Sequence, residues 1–308
     1  MICENYDSII RRAGEDTYMK INDRERNARQ QFLEKVDINE KLYHYTSMDA
    51  LFGMIKNKEF WWSSLDEMND TLELKYFIDE LKTKLKVGNE EDEQTRYDAV
   101  FSIIDTKLQN GAYQYAMCFS HLEDDAAQWE RYADNAKGVR IAFNLKKLRE
   151  LFYRSLVVPG NVYYGYDVRE HEHYTYLQEY IRSGNQTQFS TIEGWASNIL
   201  ITAASYKHKS FQSENEYRFT TLNDSPNISG ATIEHKLKGG IIKKTLVVNY
   251  EKLCETEGLC YEDLFDEILI GTRSNQRIAD LSRFLDECGF PKLKDQINRS
   301  QCPLSNYY

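Results

Sequence analysis

Residues 207–219, Lys-His-Lys-Ser-Phe-Gln-Ser-Glu-Asn-Glu-Tyr-Arg-Phe, constrain this chain more than any other stretch, because they put charge where a strand should bury a face. Tyr217-Arg218-Phe219-Thr220-Thr221 reads as a strand. If it begins near Glu214, its period of two sets Glu214, Glu216 and Arg218 on one face and Tyr217 and Phe219 toward the other. Lys207, at the end of a helix expected over 187–209, brings a second cation within reach of the carboxylates. Two neighbouring carboxylates disfavour each other's ionisation, and Arg218 and Lys207 would hold them charged. Such a group suits proton transfer, or stabilisation of positive charge developing on a substrate. The plain alternative is a solvated strand face carrying a cross-strand ion pair.

At 308 residues the chain is long enough for a substantial core, and one α+β domain with helical insertions accounts for the order of its elements. A net charge of −10 argues against a general polyanion binder. Six cysteines stand without a Cys-x-x-Cys pair, which points away from a zinc ribbon or a disulfide framework and toward a reducing compartment. The first residues lack a signal-peptide pattern and no apolar run reaches membrane-spanning length. The expected location is therefore the cytoplasm, with no membrane partner.

Residues 1–40, polar with widely spaced apolar positions, are expected to lay a peripheral helical segment on a body formed by 41–308. In that body strands are expected at 42–46, 60–65, 113–120, 139–143, 162–166, 217–221, 231–237, 242–248 and from 267, with a last edge strand after Pro291. Helices are expected after Ser47, over 72–85 and 90–108 as an insertion spanning about 72–110, and over 129–134, 145–152, 187–209 and 275–287. Gly239-Gly240 reads as a hairpin turn. His171-Glu172-His173 reads as a helix start, not a metal site, because no third ligand stands at a useful spacing. Cys118 with His121 lacks a group to orient the base, so a thiol nucleophile is not indicated.

Five motifs occur in order: Tyr43-His44-Tyr45-Thr46-Ser47; Asn69-Asp70 with Glu73; Cys118-Phe119-Ser120; Trp129-Glu130-Arg131-Tyr132-Ala133-Asp134 with Gly138; and Lys207 with Glu214-x-Glu216-Tyr217-Arg218. Together, over 42–271, they resemble a widespread bacterial family of uncharacterised domains. That family is distantly similar to the ADP-ribosyltransferase superfamily, which includes DNA-targeting toxins and the poly-ADP-ribose polymerases. The resemblance implies an α+β fold with a mixed, mostly antiparallel central sheet of that type, and NAD as substrate with no metal. It places His44 on the adenosine-side ribose, Trp62 or Ser63 beside the nicotinamide, and Glu216 on the reacting ribose, preceded by Glu214. Tyr45 and Thr46 on the first strand, with Arg131, Lys207 and Arg218 toward the pyrophosphate, complete the implied NAD-binding set. Cleaving the nicotinamide–ribose bond develops oxocarbenium-like charge, which a carboxylate hydrogen-bonded to the ribose 2-hydroxyl stabilises. The Asn69-Asp70 and 129–134 blocks have no counterpart among the transferases.

Two functions of different class follow. One is an NAD-consuming enzyme that transfers ADP-ribose to a protein or nucleic-acid acceptor, of the kind used by bacterial toxins and anti-phage effectors and open to a regulatory partner or antitoxin. The other is a non-catalytic module that senses a nucleotide or nucleic-acid end in the same cleft. A metal-dependent hydrolase built from Asp70, Glu73, Asp124 and Asp125 ranks last, since no spacing supports it. The enzyme reading requires the strands of His44 and Glu216 to lie close, with both side chains opening on one cleft. Otherwise the sensing reading takes its place.

Overall fold

Strand β3 (Tyr115–Ser120) organises the fold, for it takes neighbours on both edges. On one edge β8 (Glu216–Thr221) pairs antiparallel from Ala116↔Thr220 to Ser120↔Glu216, and β5 (Val157–Asn161) continues beyond β8. On the other edge two strands meet β3 end to end: β1 (Lys41–Thr46) at Ser120, and β2 (Glu59–Ser64) at Ala116 and Tyr115. The sheet therefore forks at β3. One arm runs through β1 to β4 (Val139–Asn144), β11 (Phe265–Ile270) and β12 (Ile297–Arg299); the other runs through β2 to β10 (Ile241–Asn249) and β9 (Ala231–Lys238). Within this sheet β11 and β12 pair parallel and the other pairs are antiparallel, which makes it open and mostly antiparallel. The computed structural model describes residues 40–65, 74–109, 114–184, 191–221, 227–238 and 240–304. The expected segment 1–40, save its last residue, and the Asn69-Asp70 and Glu73 block lie outside these residues, as does Gly239.

Helices cover both faces, so the fold is α+β, as expected from the alternation of elements. Phe60, Trp62, Met117, Phe119, Phe143 and Phe219 point to one side and form the larger core with α1 (Met48–Asn57) and α5 (Leu145–Leu151). Ala116 points to the other side, into a second core made by α2 (Lys75–Lys84), α3 (Glu91–Gln109), α6 (Glu172–Ser183) and α7 (Ile192–Ala203). Local chemistry sets the helix ends. Ser47 accepts from the Ala50 N–H to open α1, and Asp125 accepts from Gln128 N–H to open α4 (Ala126–Tyr132). His171 caps α6 in the same way, its ring nitrogen accepting from His173 N–H, as a helix-start reading requires.

Two expected elements differ, and both differences shape the site. The helix expected over 187–209 ends at Ala203; Tyr206–Lys207 is a short strand, β7, that pairs parallel with β6 (Tyr163–Tyr164). Lys207 is thus held by backbone pairing and not by a helix end. Glu214 is also absent from the strand. It closes a 3₁₀ turn, Lys209–Glu214, and Asn215 in the left-handed region (φ 43°) turns the chain into β8 at Glu216. The amphipathic period of α7 carried no sign of either break.

Candidate functional site

Lys207, Glu214, Glu216 and Arg218 converge on the face of β8 that looks toward α7. The ladder places Glu216 opposite Ser120 and Arg218 opposite Cys118, so these four share one side of the sheet. Lys207 Nζ donates to Glu214 Oε2 at 2.9 Å and to Glu216 Oε2 at 2.8 Å. Arg218 grips Glu216 with two nitrogens, Nε to Oε1 at 2.6 Å and Nη2 to Oε2 at 3.0 Å, and spends a third donor on the Ala204 carbonyl just past α7. This forked contact is what a guanidinium offers a carboxylate and an ammonium does not. All four side chains are buried.

Burial alone would push the Glu216 carboxyl up. The charges of Arg218 and Lys207, with hydrogen bonds from Arg218 and the Cys118 thiol, outweigh it and hold the group at about 2. Glu216 is therefore a fixed anion at neutral pH and does not exchange protons there. The Cys118 thiol moves the other way, pushed well above its usual range by burial and by Glu216 beside it, so it is no thiolate nucleophile. The main chain of Glu216 is tied as well, its N–H donating to Tyr164 Oη at 2.9 Å.

Glu214 joins the cluster to α4. Its backbone carbonyl accepts from Ser120 Oγ at 2.7 Å and Gln128 Nε2 at 3.2 Å, which fixes the turn against β3 and α4. Its carboxylate, held on one oxygen by Lys207, accepts on the other from Tyr132 Oη at 2.5 Å, with Arg131 Nη1 3.9 Å away. Arg131 and Tyr132 end α4 and are exposed, so the Glu214 side of the cluster adjoins the surface. Burial and the bond to Glu214 push the Tyr132 hydroxyl above its ordinary range, which keeps it a donor.

The remaining expected residues lie elsewhere. Leu42 sits in the larger core and Tyr45 against Trp129, so His44 follows Leu42 onto the opposite side of the sheet, its ring 5.8 Å from Phe119. Nδ1 of His44 meets the Cys118 carbonyl at 2.9 Å, just beyond the one β1–β3 register pair, where it bridges the fork. The strands of His44 and Glu216 are separated by β3 alone, yet their side chains open on opposite faces and share no cleft. Trp62 is fully buried in the larger core, edge-on to Phe152 at 5.1 Å. Ser63 does share the cluster's face, but opposite Ala116 and Thr220, two residues along the ladder from Cys118 and Arg218. Tyr45 donates to the Leu122 carbonyl and accepts from Asp125 N–H, a structural brace, and Thr46 ends β1 beside it. Of the carboxylates weighed for a metal, Asp124 accepts from Trp129 Nε1, Ser300 Oγ and Gln301 N–H, while Asp125 caps α4. Among the described residues no group of three His, Cys, Asp or Glu is placed to hold a metal ion.

Sequence reasoning missed Tyr132 and Tyr164. Tyr132 was within reach of it, because it adjoins Arg131 in a helix dense in aromatic and charged residues; Tyr164 carried no signal, since its role depends on β6 meeting the start of β8.

An α+β protein with a forked, mostly antiparallel sheet and a buried four-charge cluster at the start of one strand is what fold and site define. Within it, residues 128–219 match the model of a family described as a protein of unknown function (DUF2971). The expected resemblance ran over 42–271, and the match is to an uncharacterised family over 128–219 alone; that span contains Arg131, Tyr132, Lys207, Glu214, Glu216 and Arg218 and excludes His44, Tyr45, Thr46, Trp62 and Ser63. No curated protein and no solved structure matches the chain. Among the described residues no helix is long and apolar enough to cross a membrane.

Proposed function

We propose that this chain is a nucleotide-binding module of ADP-ribosyltransferase-like type, which meets NAD or a related nucleotide at Glu214, Tyr132 and Arg131. The observation that carries this reading is that the buried carboxylate of Glu214 is bonded to Tyr132 and has the guanidinium of Arg131 beside it, both on the exposed end of α4. A carboxylate and a phenol suit ribose hydroxyls, and a guanidinium suits a phosphate. Holding the nucleotide is favoured over transferring from it for a reason of charge. Lys207 and Arg218 balance Glu214 and Glu216, and Arg131 adds a further positive charge. A centre so balanced stabilises an oxocarbenium ion poorly and an anion better.

Transfer of ADP-ribose from NAD to a macromolecule, in a toxin or defence effector, is the second reading. The Glu214-x-Glu216 pair supports it, with Glu214 as the group that reaches the substrate. Calorimetry with NAD, ADP-ribose and a short oligonucleotide, run beside an assay for nicotinamide release, separates the two. Sensing predicts saturable binding of NAD or ADP-ribose and no release; Glu214→Gln then weakens binding by about tenfold or more, the usual consequence of losing a hydrogen bond to a charged group. Nicotinamide release abolished by Glu214→Gln would establish the enzyme. Neither binding nor release would exclude both.

A further inference from the structure

Strand β9 ends the sheet: it pairs with β10 and, among the described residues, has no strand on its other edge. Its hairpin also projects. Strand β2 flanks β10 from Thr245 to Asn249, so Ile241–Lys244 and their β9 partners extend beyond it. Large apolar side chains are exposed on this arm. Ile233 is 43% exposed, Leu237 68% and Ile242 71%. The register sets Leu237 opposite Ile242 and Ile233 opposite the core side chain of Leu246, so all three lie on one face, with the His235–Lys244 pair between the two apolar pairs. An open strand edge with an apolar stripe beside it is a template for another strand.

We propose that the partner is a second copy of this chain, whose β9 pairs antiparallel with β9 about a two-fold axis at His235. The argument is the order of charges along the strand. In an antiparallel pair, opposed residues share a face, so the axis of a symmetric pair falls at a residue. Centred on His235, Glu234 stands opposite the second copy's Lys236 and Ile233 opposite its Leu237, each contact made twice by symmetry. Centred on Glu234 the strand opposes two glutamates; centred on Lys236 it opposes two lysines. Like charges directly opposite destabilise a pair and unlike charges support it. Lysine on an edge ordinarily discourages pairing. Here Glu234, already 2.8 Å from Lys236 within the strand, makes the edge selective for the same strand reversed. In the dimer the apolar stripe runs from Ile242 and Leu237 of one copy onto Ile233 of the other. This inference is independent of the nucleotide reading, for it uses none of the cluster residues.

Sedimentation equilibrium of the full chain over a range of concentrations tests it. The unaltered protein is expected to associate to a dimer. Glu234→Lys opposes four lysines and Lys236→Glu four glutamates, and each should weaken dimerisation by about tenfold or more. An equimolar mixture of the two variants opposes lysine to glutamate at every position and should restore the dimer, which loss of folding would not do. Leu237→Glu should also weaken association, by charging the stripe. A chain monomeric at every concentration, a dimer indifferent to both charge variants, or a mixture that fails to recover would each overturn the proposal.

Discussion

In Glu216 two large effects oppose one another in a single carboxyl group. Burial favours the neutral acid, while the forked contact from Arg218 and the ammonium of Lys207 favour the anion and prevail. A carboxyl whose value is depressed on folding, here from the ordinary 4.5 to about 2, contributes stability above its unfolded value and loses it as pH falls through the folded one. The shift corresponds to about 3 kcal/mol. Stability measured by urea unfolding should therefore decline between about pH 5 and pH 2, and Glu216→Gln should remove that part of the slope. An unchanged slope would mean that the ion pairs do not hold Glu216 charged. Arg218→Met should cost more than the pair contributes, about 3–5 kcal/mol, because it strands a buried carboxylate with its principal partner gone. The types and order of these residues were legible in the sequence. Their facing was legible for Glu216 and Arg218, which lie on one strand, but not for Glu214, because the Asn215 turn that brings it back beside Glu216 replaces the period of two.

Between α4 and β4 the chain makes a left-handed turn of three non-glycine residues, Asp134, Asn135 and Ala136, with φ of 48°, 54° and 62°. Such residues cost about 1–2 kcal/mol each, so the surroundings must hold them. Ala136 N–H donates to the Trp129 carbonyl, Arg273 N–H donates to the Ala136 carbonyl, and the Arg273 guanidinium donates to the Asn135 side chain. Two glycines make room. A Cβ on Gly138 would overlap the Thr46 carbonyl oxygen, and one on Gly271 would overlap that of Ala136. The turn ends α4 with Arg131 and Tyr132 beside Glu214 and still delivers β4 to β1. Gly138→Ala meets a backbone oxygen that has no rotamer to escape into, so a loss of about 3 kcal/mol or more is expected, read as a fall in melting temperature of roughly 6–12 °C. A variant that melts with the parent would show that the turn adjusts freely. The sequence marked this place only by the end of the helix expected over 129–134 and by Gly138, and a helix end does not disclose the three-residue left-handed run found there.

Over the whole molecule, the two cores meet through the sheet, and α7 links the second core to the charge cluster. Ile199 is fully buried in that core, and the carbonyl of Ala204, one residue past the helix, accepts from Arg218. Ile199→Ala should cost about 2–5 kcal/mol in urea unfolding. Because α7 positions a bond of Arg218, weakening that bond should raise the folded value of Glu216, so the acid-dependent part of the stability should be smaller and end at a higher pH than in the parent. A purely local cavity would lower stability equally at every pH and leave the acid-dependent part as it is in the parent. What the sequence by itself determined is what periodicity and residue chemistry encode within one segment: most of the strands and helices in their order, though not β5, β7 or the helix Tyr250–Glu257, with the α+β class, the charged face of β8 and the capping of α1. Side-chain spacing along a short run decides these. Only the tertiary structure decided which segments meet and from which side. It sent His44 and Trp62 to the face opposite Glu216, although the motif order groups them, because facing depends on the parity of pairing across β3 and not on motif order. It also brought Tyr132 to Glu214, by a left-handed turn and a 3₁₀ closure that no hydrophobic period records.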